Sequence, residues 1–218
     1  MLNDVKAKKL ALIYDELYKL YGDCECPLNH ETPFQLLVAV ILSAQCTDKR
    51  VNMTTVELFK RFPDAASLSK ADLREVEEII KSIGLTKAKS KNIVATAQAI
   101  VEKFNGEVPQ TMEELITLPG VGRKTANAVL PNAFGKPGFA VDTHVKRLLN
   151  RMGIVKSDDP VKIEIVINKR VAPEKLGNFS HLLIWHGRNV CHANKKFDCE
   201  KVCVLNNICA KKKNGKKI

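Results

Sequence analysis

An all-α fold is what this sequence predicts, on three observations. Apolar residues recur at helical spacing along most of the chain, caps and glycine stops punctuate those segments, and period-two alternation is almost absent. Leu10, Ile13, Tyr14, Leu17 and Tyr21 mark one face of a first helix, which Gly22 stops. Thr32, Pro33 and Gln35 read as an N-cap, a first-turn proline and a capping-box partner that open a second helix. That helix, running to about Gln45, is apolar on nearly every face and belongs at the centre of a bundle. Further helices are predicted at 48–61, 71–82, 88–104, 112–118, 123–133, 143–152, 160–171 and 175–186. Ser69 and Asp72 act as a cap pair, Gly84 and Gly106 as stops, and Thr111 with Glu114 as another capping box. The valines and isoleucines of 162–167 favour a strand when taken alone, but their helical surroundings assign them to a helix. Pro131 is expected to shorten or kink the helix that contains it.

With 218 residues, 45% apolar and 27% charged, the chain has room for one or two domains and is neither a disordered nor a fibrous sequence. Its net charge of +11 favours polyanions, with nucleic acid ahead of membrane. Five of the 35 basic side chains lie in a tail at 211–218, and the remainder still carries an excess of +6, from 30 positive against 24 negative groups. The longest apolar run, Leu36 to Leu42, is seven residues, far short of the roughly 18–20 that span a bilayer. The charged start has no signal-like core, so the expectation is a soluble intracellular protein, cytoplasmic or nucleoid-associated if bacterial, with no membrane partner. Thiols stay reduced in that compartment, and the seven cysteines therefore need a role other than disulfides.

Leu118-Pro119-Gly120-Val121-Gly122-Arg123-Lys124-Thr125-Ala126 stands between two predicted helices. Pro119 should end the first, and Gly120 and Gly122 permit positive φ and close approach by another molecule. The next helix opens with unpaired N–H groups and the positive end of its dipole, flanked by Arg123 and Lys124, which makes a phosphate site. Such a helix-hairpin-helix, at about 111–130, grips a DNA backbone without reading its sequence. An ordinary turn between packed helices is the plainer alternative, and the basic pair argues against it.

Lys124 falls in the first turn of that helix, where the dipole disfavours an ammonium ion and so favours the nucleophilic amine, the more so if burial adds to it. Taken alone it is more simply a phosphate contact. Asp142 opens the next helix in Phe139-Ala140-Val141-Asp142-Thr143-His144 and, taken alone, is an N-cap. A carboxylate beside Lys124 would help deprotonate it and stabilise a cationic sugar in the transition state. Near the C-terminus, Cys191, Cys199, Cys203 and Cys209 are separated by seven, three and five residues. Four thiolates so close suit a 4Fe–4S cluster or a structural zinc, and the lack of Cys-x-x-Cys steps tilts toward iron–sulfur. His192 is an alternative ligand or a surface residue, while Cys24, Cys26 and Cys46 read as free thiols.

Leu42-Ser43-Ala44-Gln45 with Thr47-Asp48, the stretch Leu118 to Ala128, Val141-Asp142-Thr143-His144 and the terminal cysteines together resemble the endonuclease III family of helix-hairpin-helix DNA glycosylases, over nearly the whole chain. The resemblance implies a bifunctional DNA glycosylase and abasic-site lyase of base excision repair. Such an enzyme extrudes an oxidised pyrimidine from duplex DNA and then cuts 3′ to the abasic site by β-elimination. Lys124 would be the Schiff-base nucleophile and Asp142 the essential carboxylate. Gln45 and Leu85 would fill the hole left by the extruded nucleotide, where without the resemblance they read as a helix-end polar residue and a core leucine. Gly120, Val121, Gly122 and Arg123 would contact the DNA backbone, as would Lys195 and Lys196 in the basic loop between the first two cysteines.

Cys191, Cys199, Cys203 and Cys209 would hold a 4Fe–4S cluster that shapes structure and DNA docking, although two of the three gaps are one residue longer than the family's. The implied layout is a helical barrel at 23–137 containing the hairpin, and a cluster domain built from 1–22 and 138–210. A DNA cleft would lie between them, with Lys124 and Asp142 on opposite walls of a monomer. The rivals are a monofunctional mismatch glycosylase of the same superfamily, which does not normally carry lysine at position 124, and a non-catalytic DNA-binding module.

Overall fold

The computed structural model of the protein describes residues 4–193 and 199–209; among them every regular element is helical and no strand occurs. Lys195, Lys196 and the tail at 211–218 lie outside the described residues. The helices form two compact units, one spanning Cys26–Gly138 and the other joining the chain up to Glu25 with the chain from Phe139 onward.

The Cys26–Gly138 unit is built around α2 (Pro33–Leu42), of which Phe34 to Ala39, Ile41 and Leu42 are all buried. A helix with no polar face can only be satisfied by neighbours on all sides, and α3 (Asp48–Arg61), α6 (Thr86–Phe104) and α8 (Arg123–Phe134) supply them. Each leucine so buried contributes roughly 1.5–3 kcal/mol, and α2 places Leu36, Leu37 and Leu42 at zero exposure. Thr32 caps α2 through its hydroxyl, which accepts from Gln35 N at 3.2 Å. The return bond closes one residue upstream of a standard box, since Gln35 Oε1 accepts from Glu31 N at 2.9 Å.

Two short elements depart from the expected pattern. The helix α4 (Ala65–Leu68) is too short to show periodicity, and a reciprocal box between Asp64 and Ser67 sets it. Ser69 ends α4 instead of opening the next helix, while Asp72 alone caps α5 (Leu73–Ile79) through Arg74 N at 2.7 Å. Similarly, α7 (Met112–Leu115) ends before Pro119 is reached. The chain there tightens into i→i+3 bonds, Thr117 N to Glu114 O and Leu118 N to Leu115 O, as suits residues that approach a proline.

Pro131 does not shorten α8, which continues to Phe134 and closes on Gly135 in the left-handed region. Proline lacks the N–H that Asn127 O would otherwise receive, and the backbone of Gly138 packs against that carbonyl instead. A Cβ at Gly138 would stand 2.7 Å from Asn127 O and 2.8 Å from Pro131 Cδ.

In the second unit, α1 (Val5–Tyr21) buries Leu10, Ile13 and Leu17 and is capped by Asp4, whose Oδ1 accepts from Lys6 N. It packs on α11 (Leu176–Asn189), which in turn packs on α9 (Thr143–Arg151). Phe139 and Phe179 sit at the centre of this core, fully buried with ring centroids 5.9 Å apart. The segment with strand-like composition is helical in α10 (Pro160–Asn168), because Ile163 and Ile167, one turn apart, both face the core. The element α12 (Cys199–Val202) completes the described chain. Among the described residues no helix is long and apolar enough to cross a membrane.

Since neither Asn127 O nor the Pro131 ring can move cheaply, Gly138→Ala should overpack the end of α8. A loss of about 1–3 kcal/mol is expected in urea unfolding, read as a lower midpoint at unchanged slope.

Candidate functional site

The hairpin between α7 and α8 is held from below. Leu118 and Val121 are buried in the core of the Cys26–Gly138 unit, at 3% and 6% exposure, while Gly122, Arg123 and Lys124 face solvent. From α6, the buried Thr96 donates its hydroxyl to Pro119 O at 2.5 Å. Asn92, one turn earlier, leaves no room for a side chain at position 120, where a Cβ would stand 2.8 Å from Asn92 Cβ. Gly120 is required twice over, by this contact and by its φ of +74°.

Gly122 differs. Its φ is −94°, so it does not use the left-handed region, and nothing lies within 4 Å of where its Cβ would be. As the N-cap of α8 it provides no side-chain bond, and the helix mouth stays open for a close neighbour. Val121 turns its side chain inward and commits its N–H to Leu118 O at 3.1 Å. Lys124 occupies the first turn of α8 and is exposed, so the burial considered from sequence is absent.

Asp142 belongs to the other unit and caps α9, with Oδ1 accepting from Val145 N at 2.8 Å. The strand-like approach to it is fixed by burial of Phe139, Ala140 and Val141 and by Ser180 of α11, whose hydroxyl donates to Ala140 O at 2.9 Å. The cap uses one carboxylate oxygen. Ser180 and Thr96 are supports that the sequence pattern gave no reason to single out, since each acts on a backbone carbonyl distant in the chain.

Gln45 and Leu85 share an uncommon backbone state. Three described non-glycine residues have positive φ: Gln45 at 54°, Leu85 at 52° and Asn105 at 52°. Asn105 is a helix C-cap of a tolerant residue type, whereas a leucine or glutamine there costs roughly 1–2 kcal/mol. Gln45 ends the turn between α2 and α3, beyond the point where α2 stops at Leu42. Leu85 stands immediately before α6, after the 3₁₀ turn at Lys81–Ile83, and is 58% exposed instead of lying in the core. The 3₁₀ turn before Leu85 is held to α3 by a bond of 3.0 Å between the hydroxyls of Ser82 and Thr54.

All seven cysteines are free thiols. Cys191, Cys203 and Cys209 pack against the core that contains Phe179, and Cys199 is exposed. Burial pushes the Cys203 thiol up, and Cys191, Cys199 and Cys209 each raise it further, so the four lie within electrostatic reach of one another. Arg151 Nη1 donates to Cys191 Sγ at 3.1 Å and His186 Nε2 lies 3.4 Å from Cys203 Sγ. Burial lowers His186 to about 4, which keeps its ring neutral at pH 7. Among the described residues no three potential ligands are gathered closely enough to hold a metal ion.

Comparison with known proteins bears on the whole arrangement. Residues 38–173 match the HhH-GPD superfamily of base excision DNA repair proteins. The chain is 52% identical to an endonuclease III from a Synechocystis species over 205 residues, which cover 94% of this chain and 91% of that protein. The solved structure of a non-covalent endonuclease III–DNA complex superposes with a TM-score of 0.87 at 40% identity, covering 94% of this chain and 95% of that one. A trapped endonuclease III–DNA covalent intermediate gives the same score and identity, with 94% and 96% covered. An all-helical chain with this hairpin, matching its relatives across almost its full length, belongs to the endonuclease III family of the HhH-GPD superfamily.

Proposed function

We propose that the chain works as a bifunctional DNA glycosylase and abasic-site lyase of base excision repair, with Lys124 as its nucleophile. The observation that carries this reading is the placement of Lys124: a solvent-facing amine in the first turn of α8, directly behind an open, glycine-built helix mouth. An exposed helix N-terminus favours an anion by roughly 0.3–1 kcal/mol, and Arg123 adds charge beside it. A DNA phosphate at Gly120–Gly122 would therefore bring the sugar–phosphate backbone to Lys124. The covalent intermediate known for an endonuclease III supports the same chemistry here.

Lys124 Nζ, unprotonated, attacks C1′ of the extruded nucleotide. The glycosidic bond breaks, its electron pair leaves with the base, and the base takes up a proton. Nitrogen then expels the ring oxygen, which is protonated to a hydroxyl, and a Schiff base joins Nζ to C1′. Loss of a proton from C2′ drives out the 3′ phosphate and cuts the strand. Asp142 is the group to receive the Lys124 proton and to oppose positive charge on the sugar. Because Oδ1 is fixed by the α9 cap, the carboxylate is held by the fold and one oxygen remains for this work. With Lys124 exposed in the free protein, exclusion of water around the amine falls to the bound duplex.

Gln45 and Leu85 are assigned to the space vacated by the extruded nucleotide. Exposure of an apolar side chain on a strained backbone supports a task outside the fold. Oxidised pyrimidines are the proposed substrate class. Cys191, Cys199, Cys203 and Cys209 are assigned to a 4Fe–4S cluster. The four thiols lie within electrostatic reach of one another, though no three are gathered as ligands among the described residues, and an arginine donor on one sulfur with a neutral histidine beside another supports the assignment. When bound it would tie the C-terminal loop into the unit and take no part in bond cleavage.

Borohydride trapping on duplex DNA containing thymine glycol or an abasic site should give a covalent adduct that disappears in Lys124→Ala. An adduct that persists places the nucleophile elsewhere. In Asp142→Asn the cap survives through the amide oxygen, so stability and duplex binding should hold while turnover falls about 100-fold or more. Near-normal turnover would leave Asp142 as a cap alone. Gly122→Ala meets open space, so thermal stability should barely change; duplex affinity in a filter or fluorescence assay should fall roughly 10-fold as the methyl group intrudes on the phosphate.

A further inference from the structure

Lys89 is a buried lysine that the chemistry above does not use. Its side chain sits near the start of α6 at 4% exposure and runs back toward the turn before the helix, where Nζ donates to Ile83 O at 3.4 Å. The Cys46 thiol, next to Gln45, lies within electrostatic reach of the same amino group. The backbone N–H of Lys89 also bonds Leu85 O at 3.0 Å, so both its backbone and its side chain reach the turn that precedes α6. Burial depresses its proton affinity. The dipole at a helix start also opposes a cation there. A methionine of similar length would fill the space without either penalty. A charge kept at such a place calls for something that it holds.

We infer that Lys89 is a positioning residue for base extrusion: its buried amino group holds the turn carrying Leu85, and so presents that side chain preformed to the DNA stack. This rests on the assignment of Leu85 made above. A side chain that must enter a closing stack gains from being fixed beforehand, because the ordering is then complete before DNA arrives. Ile83 O lies one residue before Gly84, whose φ is +74°, and Leu85 follows at 52°. Holding that carbonyl fixes the entry to both unusual residues.

The test compares duplex DNA containing thymine glycol, where a base must be unstacked, with single-stranded DNA containing an abasic site, where none must be. Lys89→Met should fold and melt cooperatively, lose roughly 10- to 100-fold in kcat on the duplex lesion with little change in KM, and keep its cleavage of the single strand. Lys89→Arg, which retains a charged donor, should recover most of the duplex activity. In a Leu85→Ala background, Lys89→Met should cost much less on the duplex lesion than it does alone. If Lys89→Met fails to fold, Lys89→Gln carries the same comparison. Equal losses on the two substrates, or no loss on either, overturn the assignment. A wild-type protein that forms no borohydride adduct on either DNA overturns the repair reading itself, whereas an active wild type with indifferent Lys89 variants removes only Lys89.

Discussion

The site depends on how α6 holds the hairpin. A hydroxyl from Thr96 grips the carbonyl of Pro119, and the flank of Asn92 occupies the space that any side chain at Gly120 would need. Leu118 and Val121 press into the core on either side. With these contacts in place, the direction in which α8 starts is no longer free, and neither is the position of Lys124 on its first turn. A long flexible side chain, as the proposed nucleophile has, gains precision when its backbone is rigid. Here the rigidity comes from a carbonyl bond and a missing methyl group.

The two glycines of the hairpin serve different ends. Gly120 is demanded by the protein itself, through left-handed backbone and contact with Asn92. Gly122 meets neither demand, for its backbone is extended and its surroundings are open. A position whose smallness the fold does not use is best explained by something that approaches from outside. The same logic applies to Leu85, where an apolar side chain is exposed on a backbone that resists it. Both features break local rules without gain to stability, which supports the DNA contacts proposed for them.

Asp142 shows how a structural cap and the proposed chemistry would share one group. Its Oδ1 closes the first turn of α9, and the preceding backbone is pinned by Ser180. A capping carboxylate is oriented by the helix that it caps, which supplies at no extra cost the fixed geometry that a proton acceptor needs. Further along α9, Arg151 reaches the Cys191 sulfur. The helix that carries the carboxylate therefore also organises the cysteine-bearing loop.

The sequence by itself determined the helical class, the central place of α2, the caps at Thr32, Asp72, Thr111 and Asp142, and the hairpin with its lysine. All of these are written in neighbouring residues, through apolar period, cap chemistry and the breaking power of glycine and proline. Where contacts come from afar, the sequence was silent or misleading. It gave no sign of α4, and it placed the end of α7 at Pro119 and a shortening or kink at Pro131; backbone bonds end α7 earlier, and α8 is not shortened. It left open whether Leu85 is core or surface, and whether Lys124 is buried. Only tertiary structure decided these, along with the contacts of Thr96 and Ser180, because each rests on atoms brought together by packing between helices and not by order along the chain.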